Sequence, residues 1–219
     1  MVWYSQLPKP TLVNKVIPKN AFDPYCSAQK KRLFIDKIER IRWTHKLAWE
    51  TTNLPAHYVK EIQCFEVELR QEEGIEEVIR IIDRAIPYPI LFKLILGDFR
   101  KWQISKKHPN PTNEDNAVID WTFESPWSTH QTDLPIELKI SLDEVFRKLC
   151  LTVAGEKEEI SASIDQLVIR KKEIQELETK INKIKASISK EKQFNKRVEL
   201  NLELQTLEKS LATLNPYHK

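Results

Sequence analysis

The chain has 219 residues, a formal net charge of +3, 41% hydrophobic content, three glycines and three cysteines. Its length and apolar content suit one ordinary core, while Cys26, Cys64 and Cys150 stand far apart with no CxxC spacing, which speaks against a disulfide framework or a zinc site. No apolar run of membrane-spanning length occurs, and Met1-Val2-Trp3-Tyr4-Ser5 lacks the charged start and apolar stretch of a signal peptide, so a soluble, cytoplasmic protein with reduced, buried thiols is expected.

In chain order, Pro8, Pro10 and Pro18 among Leu7, Leu12, Val13 and Ile17 suit an extended strap over residues 1–22. Asp23-Pro24, or Ser27, then starts a helix whose buried face carries Leu33, Phe34, Ile38 and Ile41, with an end expected between Lys46 and Asn53 before Pro55. From Glu61 to Leu69, Phe65, Val67 and Leu69 alternate with Glu66 and Glu68, the pattern of a strand with one wet face. Ile75, Val78, Ile79, Ile82 and Ile86 recur at helical spacing until Pro87 and Pro89 end the run.

Ile90–Leu96 reads as a mostly buried strand. Gly97-Asp98 supplies a two-residue turn into a partner strand over Phe99–Ile104. His108–Asn116 reads as a polar loop and Ala117–Phe123 as a third strand. Ser141 and Glu144 have the spacing of a capping box for the next helix, which packs Val145 and Leu149 inward. The expected fold is α+β, a small, mostly antiparallel sheet with packed helices over 1–155.

Residues 156–219 follow as a C-terminal coiled-coil arm. Between Glu156 and Asn215 there is no glycine and no proline. Ile160, Ile164 and Leu167 form the start of an apolar stripe, which Ile174, Leu177, Ile181, Ile184 and Ile188 continue past Lys171 with a slip of phase; Leu200, Leu204, Leu207, Leu211 and Leu214 form a second, and Pro216 ends it. One continuous helix over 157–214 would be about 87 Å long at about 1.5 Å per residue. The alternative folds the chain back near Ser189–Asn195, where the apolar pattern loosens, and buries the two stripes against each other. In either form the stripes need a cover, since a helix this polar is marginal alone.

Charge along that segment is uneven. Lys180, Lys183, Lys185, Lys190, Lys192, Lys196 and Arg197 face a single acid, Glu191, between 180 and 197. Such a run is either a solvated face or a surface for nucleic-acid phosphates or an acidic partner. An enzymatic alternative rests on Asp120 with Glu137 and Lys139, whose Glu-x-Lys spacing resembles the Mg²⁺-holding carboxylates and lysine of restriction-type nucleases. Mg²⁺ is expected only under that alternative. No metal site is expected otherwise, because His45, His57, His108 and His130 show no ligand spacing, and no glycine-rich phosphate loop or nucleophile elbow exists. Trp43, Trp49, Trp102, Trp121 and Trp127 could stack nucleobases, but tryptophans on strands and helices more often fill cores.

Four segments carry a family resemblance: Glu39-Arg40-Ile41-Arg42-Trp43 through Lys46-Leu47, Glu61–Val67, Ile86-Pro87-Tyr88-Pro89-Ile90-Leu91-Phe92, and Glu191-Lys192-Gln193-Phe194-Asn195-Lys196-Arg197 through Asn201. Through them the chain resembles the bacterial domain of unknown function family 4391. The resemblance implies a bacterial cytoplasmic protein of a kind encoded near helicases and DNA methyltransferases in restriction or phage-defence islands. It implies no catalytic residue. The expectation is therefore a non-catalytic accessory subunit of a DNA-processing assembly, docking on a protein partner such as a helicase or methyltransferase. Its contact residues would be Lys180, Lys183, Lys185, Lys190, Lys192, Phe194, Lys196 and Arg197, with self-association and DNA contact left open. A regulatory or toxin-like binding protein is the remaining alternative.

Overall fold

The computed structural model describes residues 2–129, 133–156 and 163–214, without the side chains of residues 2, 3 and 113–115. His130, Ile160 and Pro216 lie outside the described residues. The chain divides into two compact units, 1–160 and 161–219.

The first unit begins with β1 (Val2–Trp3), two 3-10 turns (Tyr4–Gln6 and Lys9–Thr11), β2 (Leu12–Ile17) and a longer 3-10 segment, Lys19–Tyr25. It continues with α1 (Ala28–Lys37), β3 (Ile38–Ala48), α2 (Trp49–Thr52), β4 (Glu61–Leu69), α3 (Ile75–Ala85), β5 (Ile90–Leu96), β6 (Phe99–Asn110), β7 (Asn113–Glu124), β8 (Pro135–Ile136) and α4 (Leu142–Val153). Six strands form one mixed sheet in the order β2-β3-β4-β5-β6-β7, and β1 pairs with β8. The fold is α+β, as the sequence predicts. Its sheet has six strands, where the sequence marks four.

Within this sheet only β4 and β5 run parallel. α3 makes that crossover, for which a hairpin is too short. The alternation of side chains across the sheet sends Phe65 and Val67 to one face, where they join Phe34, Ile38, Ile41, Ile79, Ile82 and Phe92 in a buried core. Ile62, Cys64, Leu91 and Ile104 are buried on the opposite face, where α4 packs with Leu142, Val145 and Leu149. Helices thus cover both faces, which explains why β5 reads as a nearly unbroken apolar run.

The largest correction concerns residues 38–48, expected as helix and found as strand. α1 is capped by Ser27, whose hydroxyl accepts from the Lys30 N–H, and ends at Lys37. The next eleven residues pair with β4, with register shifts between Ile38 and Arg40 and between Trp43 and His45. Each shift is a β-bulge, in which an extra residue breaks the period of two. Glu39 is the first such residue, so Ile38 and Ile41, three apart, both point inward (0% and 1% exposed) and imitate a helical face.

The second correction is the loop expected at 108–116. β6 and β7 continue through it and reverse at Pro111-Thr112, where the Asn110 side-chain oxygen accepts from the Thr112 N–H at 3.0 Å. β5 pairs with β6 only as far as Ile104, so Pro109 can sit opposite Ala117 without costing the sheet a hydrogen bond on its other side. The Gly97-Asp98 turn is present, with Gly97 at φ +55°. At α4 the Ser141 hydroxyl accepts from the Glu144 N–H at 3.2 Å, but the Glu144 carboxylate turns to Arg147, so half of the expected capping box forms.

The second unit holds α5 (Ile164–Lys190) and α6 (Phe194–Leu214), which pack on each other. The helix does not run on through residues 191–193. Ile174, Ile181 and Ile184 are buried, and Leu177, Ile188, Leu200, Leu204, Leu207, Leu211 and Leu214 are half-buried, so the two stripes read from the sequence are those that lose solvent. Lys185 Nζ meets Glu208 Oε1 at 2.9 Å across the pair. Among the described residues no helix is long and apolar enough to cross a membrane.

Candidate functional site

The turn between α5 and α6 contains no glycine or proline because a side chain does their work. Glu191 leaves the helix with extended backbone, and its Oε1 accepts from the N–H groups of Lys192 and Gln193, each at 2.9 Å. Those bonds, led by the one from Gln193, hold the Glu191 carboxyl below the usual carboxylate range. The bond from Gln193 also satisfies one of the donors that the start of α6 leaves open.

Around this turn all eight candidate contact residues are exposed: Lys180, Lys183, Lys185, Lys190, Lys192, Phe194, Lys196 and Arg197. Lys185 pairs with Glu208, and Lys196 lies 3.8 Å from Glu191. Phe194 is 77% exposed at the first residue of α6, and Val198 and Leu202, one and two turns on, are 42% and 60% exposed. Residues four apart lie on one helix face, so these three form an apolar row distinct from the leucine stripe that packs on α5. The sequence singled out Phe194 but not the row.

Of the candidate nuclease residues, Asp120 and Glu137 each have a partner of their own. Asp120 is the extra residue where the β6–β7 register shifts, with Lys106 opposite Trp121 and Lys107 opposite Ile119, and its carboxylate lies 3.0 Å from His108 Nδ1. Glu137 meets Lys148 of α4 at 2.5 Å, and that ammonium holds its carboxyl below the usual range. Lys139 is exposed. No group of three or more His, Cys, Asp or Glu placed to hold a metal exists among the described residues. His45 is half-buried, burial pushes its imidazole down, and its ring meets Tyr4 edge-on at 5.5 Å.

Sequence reasoning missed one feature of the first unit. A cavity of about 320 Å³ opens between the Lys19–Tyr25 segment, the end of α3 and the sheet, with Trp43, Phe65 and Gln63 in its wall. Its signal lies in Ile62-Gln63-Cys64-Phe65, where an uncharged amide holds an inward position of a buried strand.

No curated protein and no solved structure matches the chain. The family model described as Domain of unknown function (DUF4391) matches residues 6–211, nearly the whole chain, and the protein belongs to that family.

Proposed function

We propose that this protein is a non-catalytic accessory subunit that docks on a larger DNA-processing assembly through the turn end of its C-terminal helix pair. The observation that carries the reading is the exposed row Phe194, Val198 and Leu202 beside Lys190, Lys192, Lys196 and Arg197. An apolar anchor ringed by like charges suits a partner surface with an apolar groove and an acidic rim, because the groove supplies affinity and the charges supply orientation and approach rate. The stripes of α5 and α6 cover each other in coiled-coil fashion, so they hold this end in shape and leave the row for the partner. Family likeness adds the setting, a bacterial restriction or phage-defence locus whose helicase or methyltransferase is the candidate partner. Direct DNA contact by the same lysines is the lesser part of the reading.

The nuclease alternative gains nothing comparable, since Asp120 faces the His108 imidazole and Glu137 pairs with the Lys148 ammonium. The test is isolation of the tagged, full-length chain from its native host, in wild-type form and as Phe194→Ala/Lys196→Ala. Both forms should unfold at the same urea concentration. A helicase or methyltransferase should accompany the first and be depleted from the second. Equal recovery with both forms, or self-association as the only association found, overturns the docking site.

A further inference from the structure

Arg84 stands exposed in the last turn of α3, and its guanidinium has no ion pair or hydrogen bond with any described residue. A basic side chain at that place in a helix ordinarily serves the free carbonyls of the last turn. Here the buried Lys107 ammonium does so from the inside, since it donates to the carbonyls of Asp83 and Ile86. The guanidinium is left for an anion that comes from solvent.

Beside it opens a cavity of about 220 Å³, separate from the apolar one next to β4. Tyr25 of the Lys19–Tyr25 segment, Lys30 of α1, Ile81 and Arg84 of α3 and Asn116 of β7 line it. Four of these five side chains carry a donor: a phenol, an ammonium, a guanidinium and an amide. Among the described residues no carboxylate lines the cavity, and the Tyr25 and Asn116 side chains, like that of Arg84, make no hydrogen bond. Donors from four elements thus converge on a space without an acceptor of their own.

The acids of the same elements do not fill that need. Asp23 lies 3.0 Å from Lys31, and Asp83 is buried against Lys107. Asp36 and Glu76 sit six and eight residues from Lys30 and Arg84, about 9 and 12 Å along their helices. Glu77 alone engages a lining residue, reaching Lys30 at 3.2 Å with side chains 51% and 42% exposed. A pair so exposed is weak, and an anion of higher charge displaces it.

The donor set also selects among anions. One guanidinium fork satisfies both oxygens of a carboxylate, which would leave Lys30, Tyr25 and Asn116 without a task. A phosphate monoester brings three acceptor oxygens and a charge of about −1.5 to −2. Size points the same way, because the cavity holds several times the about 30 Å³ of one water yet falls short of the about 300 Å³ at which drug-sized sites begin. It suits a phosphate with a short organic stem, for which Ile81 and the Tyr25 ring supply apolar wall.

We propose that the first unit binds a small phosphate monoester in this cavity, with the phosphate oxygens on Arg84 and Lys30 and with Tyr25 and Asn116 completing their shell. The site binds its ligand and breaks no bond. It is independent of the docking surface, since its residues all belong to the other unit.

The test is calorimetric titration of the full-length chain with glycerol 3-phosphate, ribose 5-phosphate and inorganic phosphate, and with glycerol, ribose and glycerate. At least one ester should bind saturably with a Kd below about 1 mM, more tightly than inorganic phosphate, while the compounds without phosphate do not bind. Arg84→Gln should weaken that binding about tenfold, the loss of one charge-assisted hydrogen bond, and Lys30→Gln should weaken it too. Glu77→Gln, which releases Lys30, should tighten it. All three side chains reach solvent, so the urea midpoint should stay where it is in the wild type. No saturable binding of either ester up to about 1 mM overturns the proposal. So does equal affinity for glycerate, or affinity unchanged in both Arg84→Gln and Lys30→Gln. Tighter binding of a DNA oligonucleotide without terminal phosphate, lost in Arg84→Gln, overturns the small-molecule assignment in favour of a nucleic-acid backbone contact.

Discussion

Lys107 Nζ lies 2.7 Å from Asp83 Oδ1, and neither side chain has any exposed surface. The ammonium also donates to the Asp83 and Ile86 carbonyls, at 2.5 and 2.8 Å, so a cation from β6 closes the C-terminal end of α3. Burial pushes the Lys107 ammonium down, and the Asp83 charge and hydrogen bond oppose that shift. Removing one partner leaves an uncompensated buried charge, at a cost of about 3–5 kcal/mol. Asp83→Ala or Lys107→Ala should therefore lower the urea midpoint sharply. The apolar double variant Asp83→Leu/Lys107→Met should lose less than either single change. A simple sum of the single losses in the double variant would show that the two groups do not act as a pair.

Cysteine chemistry gives a second, inexpensive check on the core. Cys64 and Cys150 are wholly buried and burial raises both thiols, Cys150 well above its ordinary value; Cys26, on the Lys19–Tyr25 side of the sheet, is half-buried. Thiolate is the reactive form and needs access to the reagent. An aromatic disulfide reagent at pH 8 should modify Cys26 alone in the native protein and all three cysteines in urea. Fast native labelling of Cys64 would mean that the β4 core is not closed as described.

Sequence pattern and structure agree where one period governs an element. β4, β5 and α3 fall within a residue of the ranges predicted for them, because each keeps an unbroken alternation or helical spacing between clear stops such as Gly74 and Pro87. β3 was illegible for the opposite reason: the bulge at Glu39 moves its inward positions from every second residue to Ile38, Ile41 and Trp43, and a second register shift follows between Trp43 and His45. The extension of β6 and β7 was hidden by Pro109, whose harmlessness depends on the neighbouring strand β5 starting only at Ile90, so that its pairing with β6 reaches no further than Ile104. At the candidate sites, the exposed lysines were plain from composition. The cavity beside β4 could not be read, since its lining comes from the Lys19–Tyr25 segment, β3, β4 and the end of α3, which meet only in the fold.

Asp143, in the first turn of α4, ties the loop after α2 to that helix. Its Oδ2 accepts from the His57 N–H at 2.9 Å, and Oδ1 accepts from Tyr58 and Val59 at 2.9 and 3.0 Å. Burial alone would raise this carboxyl, but the backbone donors outweigh it and hold it below the usual carboxylate range. Because the folded value is the lower one, the contribution is complete above the unfolded value of about 3.9 and is lost as pH falls through the folded value. Asp143→Ala should cost about 1–2 kcal/mol at pH 7, discounted for partial exposure. The gap between wild type and variant should shrink on acidification below about pH 4. A gap that stays constant down to pH 2 would exclude the carboxylate as the source.

The turn at Glu191 makes the closing prediction, since it decides between the two forms the sequence allows for residues 164–214. In one continuous helix, residues 185 and 208 would stand about 35 Å apart, whereas the structure brings their side chains to 2.9 Å. Spin labels at these two positions should report a short separation at pH 7. The Lys185–Glu208 pair itself is about half exposed and worth well under 1 kcal/mol, so replacing it with labels should leave the fold of the pair intact. Glu191→Ala removes the acceptor for the Lys192 and Gln193 N–H groups, and should broaden the distance distribution toward longer values. The wild-type distribution should broaden in the same direction as pH falls through the depressed Glu191 value, since its protonated carboxyl is a weaker acceptor. A single long distance near 35 Å in the wild-type protein would mean that the stripes of α5 and α6 find their cover outside this chain.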